Sequence, residues 1–262
     1  LKNKVEARAL TRLVCLAAAD RVCYPALSQA GIDGVGETGF LMTLLGRNRD
    51  IVSAFSLFLD EIARNPGVYD REAGFIHRSL AETDLSELLH LPGHVHEALM
   101  AEQSDDTGLT SRRKSRGSYY TPVPLVRYMV RKSVKRLFDI TPAEKLGLIN
   151  IIDPACGGGS FLLEVITCLN SYGFPAEEIL KSIYGVDVDG QAVDICLFSL
   201  TVAIMAHSNY RISPQYVAPI LSAQIRSGNS LAWEASQLID GIRWVEEFPH
   251  LFGGDKKDQG FD

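Results

Sequence analysis

The sequence predicts an α/β protein, with a doubly wound parallel sheet in its second half and an α-helical region over residues 1–110 before it. Three observations carry this. Short apolar runs rich in β-branched residues lie at Leu148–Asp153 and Ile183–Val188, and Gln224–Asn229 reads as a third strand. Helical stretches separate them, at Phe161–Leu169, Pro175–Ser182 and Gln191–Ala206. A glycine loop, Cys156–Gly159, directly follows the first run. Alternating strands and helices require right-handed crossovers and a parallel sheet. Ligands of such sheets bind beyond the carboxyl ends of the strands.

The 262 residues suit one large domain or two modest ones, and the 46% hydrophobic content provides for a core. Cys15, Cys23, Cys156, Cys168 and Cys196 are scattered and form no Cys-x-x-Cys pair. Reduced thiols are therefore expected, with neither a disulfide framework nor a zinc site. The sequence shows neither an apolar run of bilayer length nor a signal segment, which reads as a soluble, cytoplasmic protein without a membrane partner. It begins at Leu1 and stops at Gly260-Phe261-Asp262, which reads like the start of a strand. The expectation is a piece of a longer protein.

A net charge of −6 argues against indiscriminate nucleic-acid binding. Between Asp106 and Asp139, however, there is no acidic residue. Arg112, Arg113, Lys114, Arg116, Arg127, Arg131, Lys132, Lys135 and Arg136 all lie in that gap. Such a stretch either faces phosphates or forms a solvated helix face balanced by carboxylates elsewhere.

In the first half, Val5–Ala19 carries apolar residues at helical spacing. A glycine-rich turn at Gly31–Gly39 precedes apolar runs at Phe40–Leu45 and Ile51–Ala63, and Asn65-Pro66-Gly67 reads as a stop. Thr83-Asp84-Leu85-Ser86-Glu87 begins another helix, with Thr83 or Asp84 as its N-cap. His90, His94 and His96 surround Pro92-Gly93. That break removes helical i, i+4 pairing, so no metal site is expected there.

Glu102–Gly117 is polar and reads as a linker. In Gly117-Ser118-Tyr119-Tyr120-Thr121-Pro122, Thr121 can cap a helix whose first position is Pro122. That helix runs to about Phe138 with Leu125, Met129, Val130, Val134 and Leu137 as its apolar stripe.

Asp153-Pro154-Ala155-Cys156-Gly157-Gly158-Gly159-Ser160-Phe161 lies between a strand and a helix. Its glycines let the backbone approach a ligand closely. The carboxylate of Asp153 would repel a pyrophosphate and attract an ammonium group. NAD would want Gly-x-Gly-x-x-Gly, but the third glycine position is Leu162. ATP would want a lysine and then a hydroxyl residue after the loop, and that pair is absent. S-adenosylmethionine, with its ammonium, sulfonium and adenosine, suits the loop. Asp187 ends the next strand, where a carboxylate can accept from a ribose diol, and Val188 can pack on adenine. Asn229, in Gly228-Asn229-Ser230, can hydrogen-bond the adenine edge.

These residues resemble the gamma class of adenine-N6 DNA methyltransferases, nearest to the large enzymes of type I and type IIG restriction–modification and related phage-defence systems. Gly117–Pro122 is similar to that class's motif X, Asp153–Phe161 to motif I, Gly185–Asp189 to motif II and Gly228–Leu231 to motif III. Asn229 stands where the family often has aspartate. Arg243–Pro249 and Phe252 resemble the segment before the catalytic strand. The resemblance covers residues 115–262 and is specific, because motif X ahead of motif I is unusual outside DNA methylases.

The resemblance implies a Rossmann-like sheet over residues 111–262 that binds S-adenosylmethionine. Its cofactor-binding residues would be Tyr119, Tyr120, Thr121, Pro122, Asp153, Pro154, Ala155, Cys156, Gly157, Gly159, Phe161, Asp187, Val188, Asn229 and Ser230. It also implies methyl transfer to N6 of an adenine swung out of double-stranded DNA, with specificity or restriction subunits as partners. Motif IV, Asn-Pro-Pro-Tyr, occurs nowhere in the chain, so no catalytic residue is assigned. The expectation is a domain truncated before that motif, binding cofactor without methylating. A sensor or docking module completed by a partner chain is the alternative, and an RNA or protein methyltransferase a third.

Overall fold

The computed structural model describes residues 2–23, 66–80, 83, 85–102, 121–141, 149–231, 241–252 and 260–262. The turn at Gly31–Gly39, the runs Phe40–Leu45 and Ile51–Ala63, the linker and the 110/111 boundary lie outside the described residues. So do Arg112 to Arg116, Tyr119 and Tyr120.

Four described helices precede residue 103: α1 (Lys2–Cys23), α2 (Pro66–Ser79), α3 (Leu85–Leu88) and α4 (Leu91–Glu102). Pro66-Gly67 opens α2, since proline's fixed φ and missing N–H suit a first turn; the stop expected there for the preceding run lies outside the described residues. One expectation is corrected here. Pro92-Gly93 likewise lies in the first turn of α4, and the His94 N–H reaches the His90 carbonyl at 3.2 Å. The His90 and His94 rings therefore stack across one turn, 6.2 Å apart.

The second half follows the predicted alternation. After α5 (Val123–Ile140) come β1 (Ile151–Asp153), α6 (Ser160–Ser171), α7 (Ala176–Ser182), β2 (Ile183–Asp187), α8 (Gly190–His207), α9 (Pro214–Gln224) and β3 (Ile225–Ser227). Two short turns of helix, α10 (Trp244–Glu247) and α11 (Pro249–Phe252), follow. The strands are shorter than expected: Ile149 and Asn150 precede β1, and Val188 lies beyond β2. All pairing is parallel in the order β1-β2-β3, with Asp153 beside Gly185 and Asp187 beside Ser227. All three carboxyl ends therefore share one edge of the sheet.

The apolar face of α5 is rotated from the expected stripe. Val123, Val126, Val130 and Val134 are buried, whereas Leu125 and Met129 are exposed. Val126, Val130 and Val134 share the main core with Leu162, Ile166 and Leu169 of α6. Proximity of α6 dictates which face is covered, and the sequence stripe could not show it.

Helix α8 is apolar on every side because it is covered on both: it packs against the sheet and against α1 and α4. It is long and apolar enough to cross a membrane by length and composition, correcting the expectation that no such run exists. Two-thirds of it is buried in this fold, as a core helix requires. Cys15, Cys156, Cys168 and Cys196 are buried free thiols.

Phe261 belongs to an aromatic cluster with Tyr184, Trp244, Phe248 and Phe252. Beside it, the Asp262 N–H donates to the Asn150 carbonyl at 2.8 Å, and the Asn150 N–H donates back to the Asp262 carboxylate at 2.8 Å. The strand-like reading of Gly260–Asp262 thus corresponds to backbone pairing next to β1, short of an assigned strand.

Candidate functional site

Asp153 leaves β1 with its carboxylate accepting the Ala155 N–H at 3.1 Å, a local turn that folds the chain back over the strand end. Burial raises its pKa, the Ala155 bond opposes this, and nearby Asp187 adds to it. Pro154 and Ala155 are exposed, while Cys156 turns inward. The Cys156 N–H donates to the Val186 carbonyl at 2.9 Å, fastening the loop to β2. Its thiol hydrogen-bonds Cys196 of α8, and that bond together with burial holds its pKa well above the usual thiol range. Cys156 is thus a structural rather than a nucleophilic thiol.

The loop geometry depends on its glycines. Gly157 and Gly159 adopt φ of 51° and 89°, the left-handed region. A Cβ on Gly159 would also stand 2.8 Å from the Cys196 sulfur. The Gly157 N–H points to Asp187 Oδ2 at 2.8 Å, and the Asp189 N–H to Asp187 Oδ1 at 2.8 Å. Asp187 therefore ties the loop to the end of β2. Each carboxylate oxygen keeps a second lone pair, so the group retains capacity for further donors. Val188, next along, is 54% exposed.

Beyond β3, Asn229 forms an isolated parallel bridge with Gly241, and its Oδ1 accepts the Leu231 N–H at 3.0 Å. Ser230 is half-buried, as is Phe161 in the first turn of α6. The Gly228 N–H donates to the Asp187 carbonyl at 2.8 Å, joining this turn to the second strand end. The structure thus brings Asp153, the glycine loop and Asp187 together, with the Asn229 turn bonded to Asp187.

At the start of α5 the capping expectation is corrected. The helix begins at Val123 with Pro122 as N-cap and no side-chain cap bond, so Thr121 lies one residue too early to cap. Pro122 is exposed and Thr121 half-buried.

Sequence reasoning missed the part played by α4. A Cβ on Gly158 would stand 2.5 Å from the Gly93 Cα, and one on Gly93 would stand 3.2 Å from the Gly158 Cα. The two backbones touch, and a side chain at Gly158 would force them apart. His96 of α4, 7% exposed, bonds Asp189 Oδ2 through Nε2 at 3.3 Å. That contact, the leading cause, lowers the Asp189 pKa, and Asp189 in turn caps α8 through the Gln191 N–H at 3.0 Å. Reading Pro92-Gly93 as a helix opening would have exposed the signal, since Gly93, His96 and Glu97 then fall at i, i+3 and i+4.

The acid-free stretch divides within α5. Arg127 and Arg131 converge on Glu164 of α6, at 3.5 Å and 3.3 Å. The Arg131 contact lacks hydrogen-bond alignment, since Glu164 Oε1 has no hydrogen-bond partner. Lys135 pairs with Asp139 one turn on, and Lys132 lies over the Tyr128 ring. Four of the basic residues are thus engaged within the fold. Among the described residues, no group of three or more His, Cys, Asp or Glu side chains is arranged to hold a metal.

Residues 89–218 match the family model for N-6 DNA Methylase. The chain is 24% identical over 172 residues to the Type II methyltransferase M.VspI of Vibrio sp. (strain 343). That match takes in 64% of this chain and spans 38% of the relative's length. No solved structure matches the chain.

Proposed function

We propose that this chain, whose residues 89–218 match the N-6 DNA Methylase family model, is the cofactor-binding part of an S-adenosylmethionine-dependent adenine-N6 DNA methyltransferase. In this reading residues 111–262 form the Rossmann-like cofactor domain and residues 1–110 a helical region before it. The enzyme is of the type I or type IIG kind and works in the cytoplasm in restriction–modification or phage defence. Its substrate is double-stranded DNA, and specificity or restriction subunits are its partners.

One observation carries the reading. The Gly157 N–H to Asp187 bond at 2.8 Å fastens a three-glycine loop to an acidic strand end, with Asp153 beside it. Carboxylates at two adjacent strand ends suit a ligand that is cationic at one end and carries a diol. They disfavour a diphosphate. S-adenosylmethionine, when bound, supplies an electrophilic methyl group on a sulfonium sulfur.

Asp153 would hold the ammonium, Asp187 the ribose hydroxyls and Val188 one face of adenine. Asn229 would donate its amide N–H to an adenine ring nitrogen, a contact that aspartate could not make. Tyr119, Tyr120, Thr121 and Pro122 would border the methionine end. Pro154, Ala155, Cys156, Gly157, Gly159, Phe161 and Ser230 shape the crevice. Rate enhancement would come from aligning donor and acceptor away from water. The sequence has no Asn-Pro-Pro-Tyr, so the 262 residues are expected to bind cofactor and transfer no methyl.

Calorimetric titration of S-adenosylmethionine into the chain, beside titrations of NAD and of the Asp187→Ala variant, tests the reading. Saturable binding that the variant loses, with no response to NAD, is expected. Heat from NAD, or no binding by a sample with a cooperative unfolding transition, would refute it. Labelled methyl appearing in DNA would refute the expected inactivity.

A further inference from the structure

We propose that α4 is a wall of the cofactor crevice and that Glu97 is a further cofactor-positioning residue, its carboxylate facing the ammonium of the methionine end. The inference rests on the cofactor reading above and adds to it a residue outside the sheet.

Two anchors hold α4 against the crevice. The first is the backbone contact of Gly93 with Gly158, where a Cβ on Gly158 would stand 2.5 Å from the Gly93 Cα. The second is the His96 bond to Asp189, which leaves the sheet just after the β2 carboxylate. Glu97 follows His96 directly and lies one helical turn beyond Gly93, on the face that meets the loop. Its Oε1 stands 3.6 Å from the point a Cβ on Gly157 would occupy. It therefore borders the space that the glycine leaves open, on a residue whose N–H is already turned to Asp187.

Glu97, Asp153 and Asp187 then surround the Gly157 turn from three separate elements. Three carboxylates around a partly buried space favour a cationic ligand group. Burial and neighbouring negative charge already act on Asp153, so a ligand ammonium there would relieve repulsion as well as form contacts. In that reading the adenosine end would face Asp187 and the β3 turn, which would leave the loop side beside Glu97 to the methionine end.

The test compares three ligands on the full 262-residue chain, unaltered and as Glu97→Gln. S-adenosylmethionine carries both cations, S-adenosylhomocysteine keeps the ammonium and lacks the sulfonium charge, and methylthioadenosine lacks the ammonium. The substitution is expected to weaken the first two about tenfold, the worth of one charge-assisted hydrogen bond, and leave methylthioadenosine unchanged. Equal weakening of all three would show a merely structural role, and weakening of S-adenosylmethionine alone would place the sulfonium there instead. Either result, or unchanged affinities throughout, overturns the inference while leaving the cofactor reading standing. Failure of the unaltered chain to bind any of the three overturns that reading and the inference together.

Discussion

The Gly157 N–H and Asp187 Oδ2 meet at 2.8 Å across thirty residues of chain, and this bond makes the glycine loop and the end of β2 one unit. Asp187 also accepts the Asp189 N–H, so removing its carboxylate orphans two backbone donors at once. Asp187→Ala is expected to destabilise the fold by about 1–3 kcal/mol, each donor being only partly shielded from water. Asp187→Asn keeps one acceptor oxygen and should lose about half as much. Urea midpoints for the two variants check the order, and equal losses would show that the loop tie contributes little.

The contact between Gly93 and Gly158 makes a sharper steric prediction. Gly158→Ala must displace α4, because the obstructing atom is backbone and cannot rotate away. A cost of about 1–3 kcal/mol is expected, the usual range for overpacking. Gly173 is the control: it adopts φ of 88°, but nothing lies within 4 Å of its Cβ position. Gly173→Ala should therefore cost only backbone strain, about 1 kcal/mol, and leave α4 untouched. Faster amide exchange in α4 for the first variant alone would establish the distinction.

Strand β2 was legible because a buried parallel strand is apolar along nearly its whole length, and Ile183 to Val186 are all buried. Asp153, Gly157 and Asp187 were legible for a related reason, since strand-end acids and glycines sit at fixed offsets from such strands. The inward face of α5 was not, because Leu125 and Met129 are as apolar as the valines that α6 covers. Only the partner helix decides between them. The fit of α4 against the loop was hidden by distance in sequence: Gly93 and Gly158 are far apart in the chain, and a Pro-Gly pair opens helices as readily as it ends them. For Arg127 and Arg131 the sequence left open a phosphate-facing stretch or a solvated face balanced by distant carboxylates, and only the packing of α6 shows Glu164 buried beneath them.

That carboxylate yields the third prediction. The Glu164 side chain is 2% exposed, with Arg131 well exposed and Arg127 partly so. Replacing both arginines by methionine leaves a buried charge uncompensated, which costs about 3–5 kcal/mol for a fully buried pair. Water around Arg131 already screens part of the attraction, so the loss should fall toward the lower end. Adding Glu164→Leu to the double variant should recover most of it, because no buried charge then remains. A triple variant no more stable than the double would mean that packing by the arginine stems, rather than charge, holds α5 to α6.

His90 supplies a pH dependence with a definite sign. Burial, reinforced by His94 and Arg127, lowers its pKa to about 4 in the folded chain, and His94 is also lowered by burial. The unfolded chain takes up a proton near pH 6.5, so between about pH 6.5 and 4 it binds more protons than the folded one. The contribution of His90 to stability is thus fully present above pH 6.5 and is lost as the pH falls toward 4, by at most about 1.4 kcal/mol per pH unit. Asp189 acts in the same direction but lower, because His96 depresses its pKa below the ordinary carboxylate value. Urea midpoints at pH 7, 6 and 5 should therefore decline for the unaltered chain and decline less for His90→Gln, whose amide does not titrate. Parallel declines would show that His90 takes up its proton at the same pH in both states and that the slope arises elsewhere.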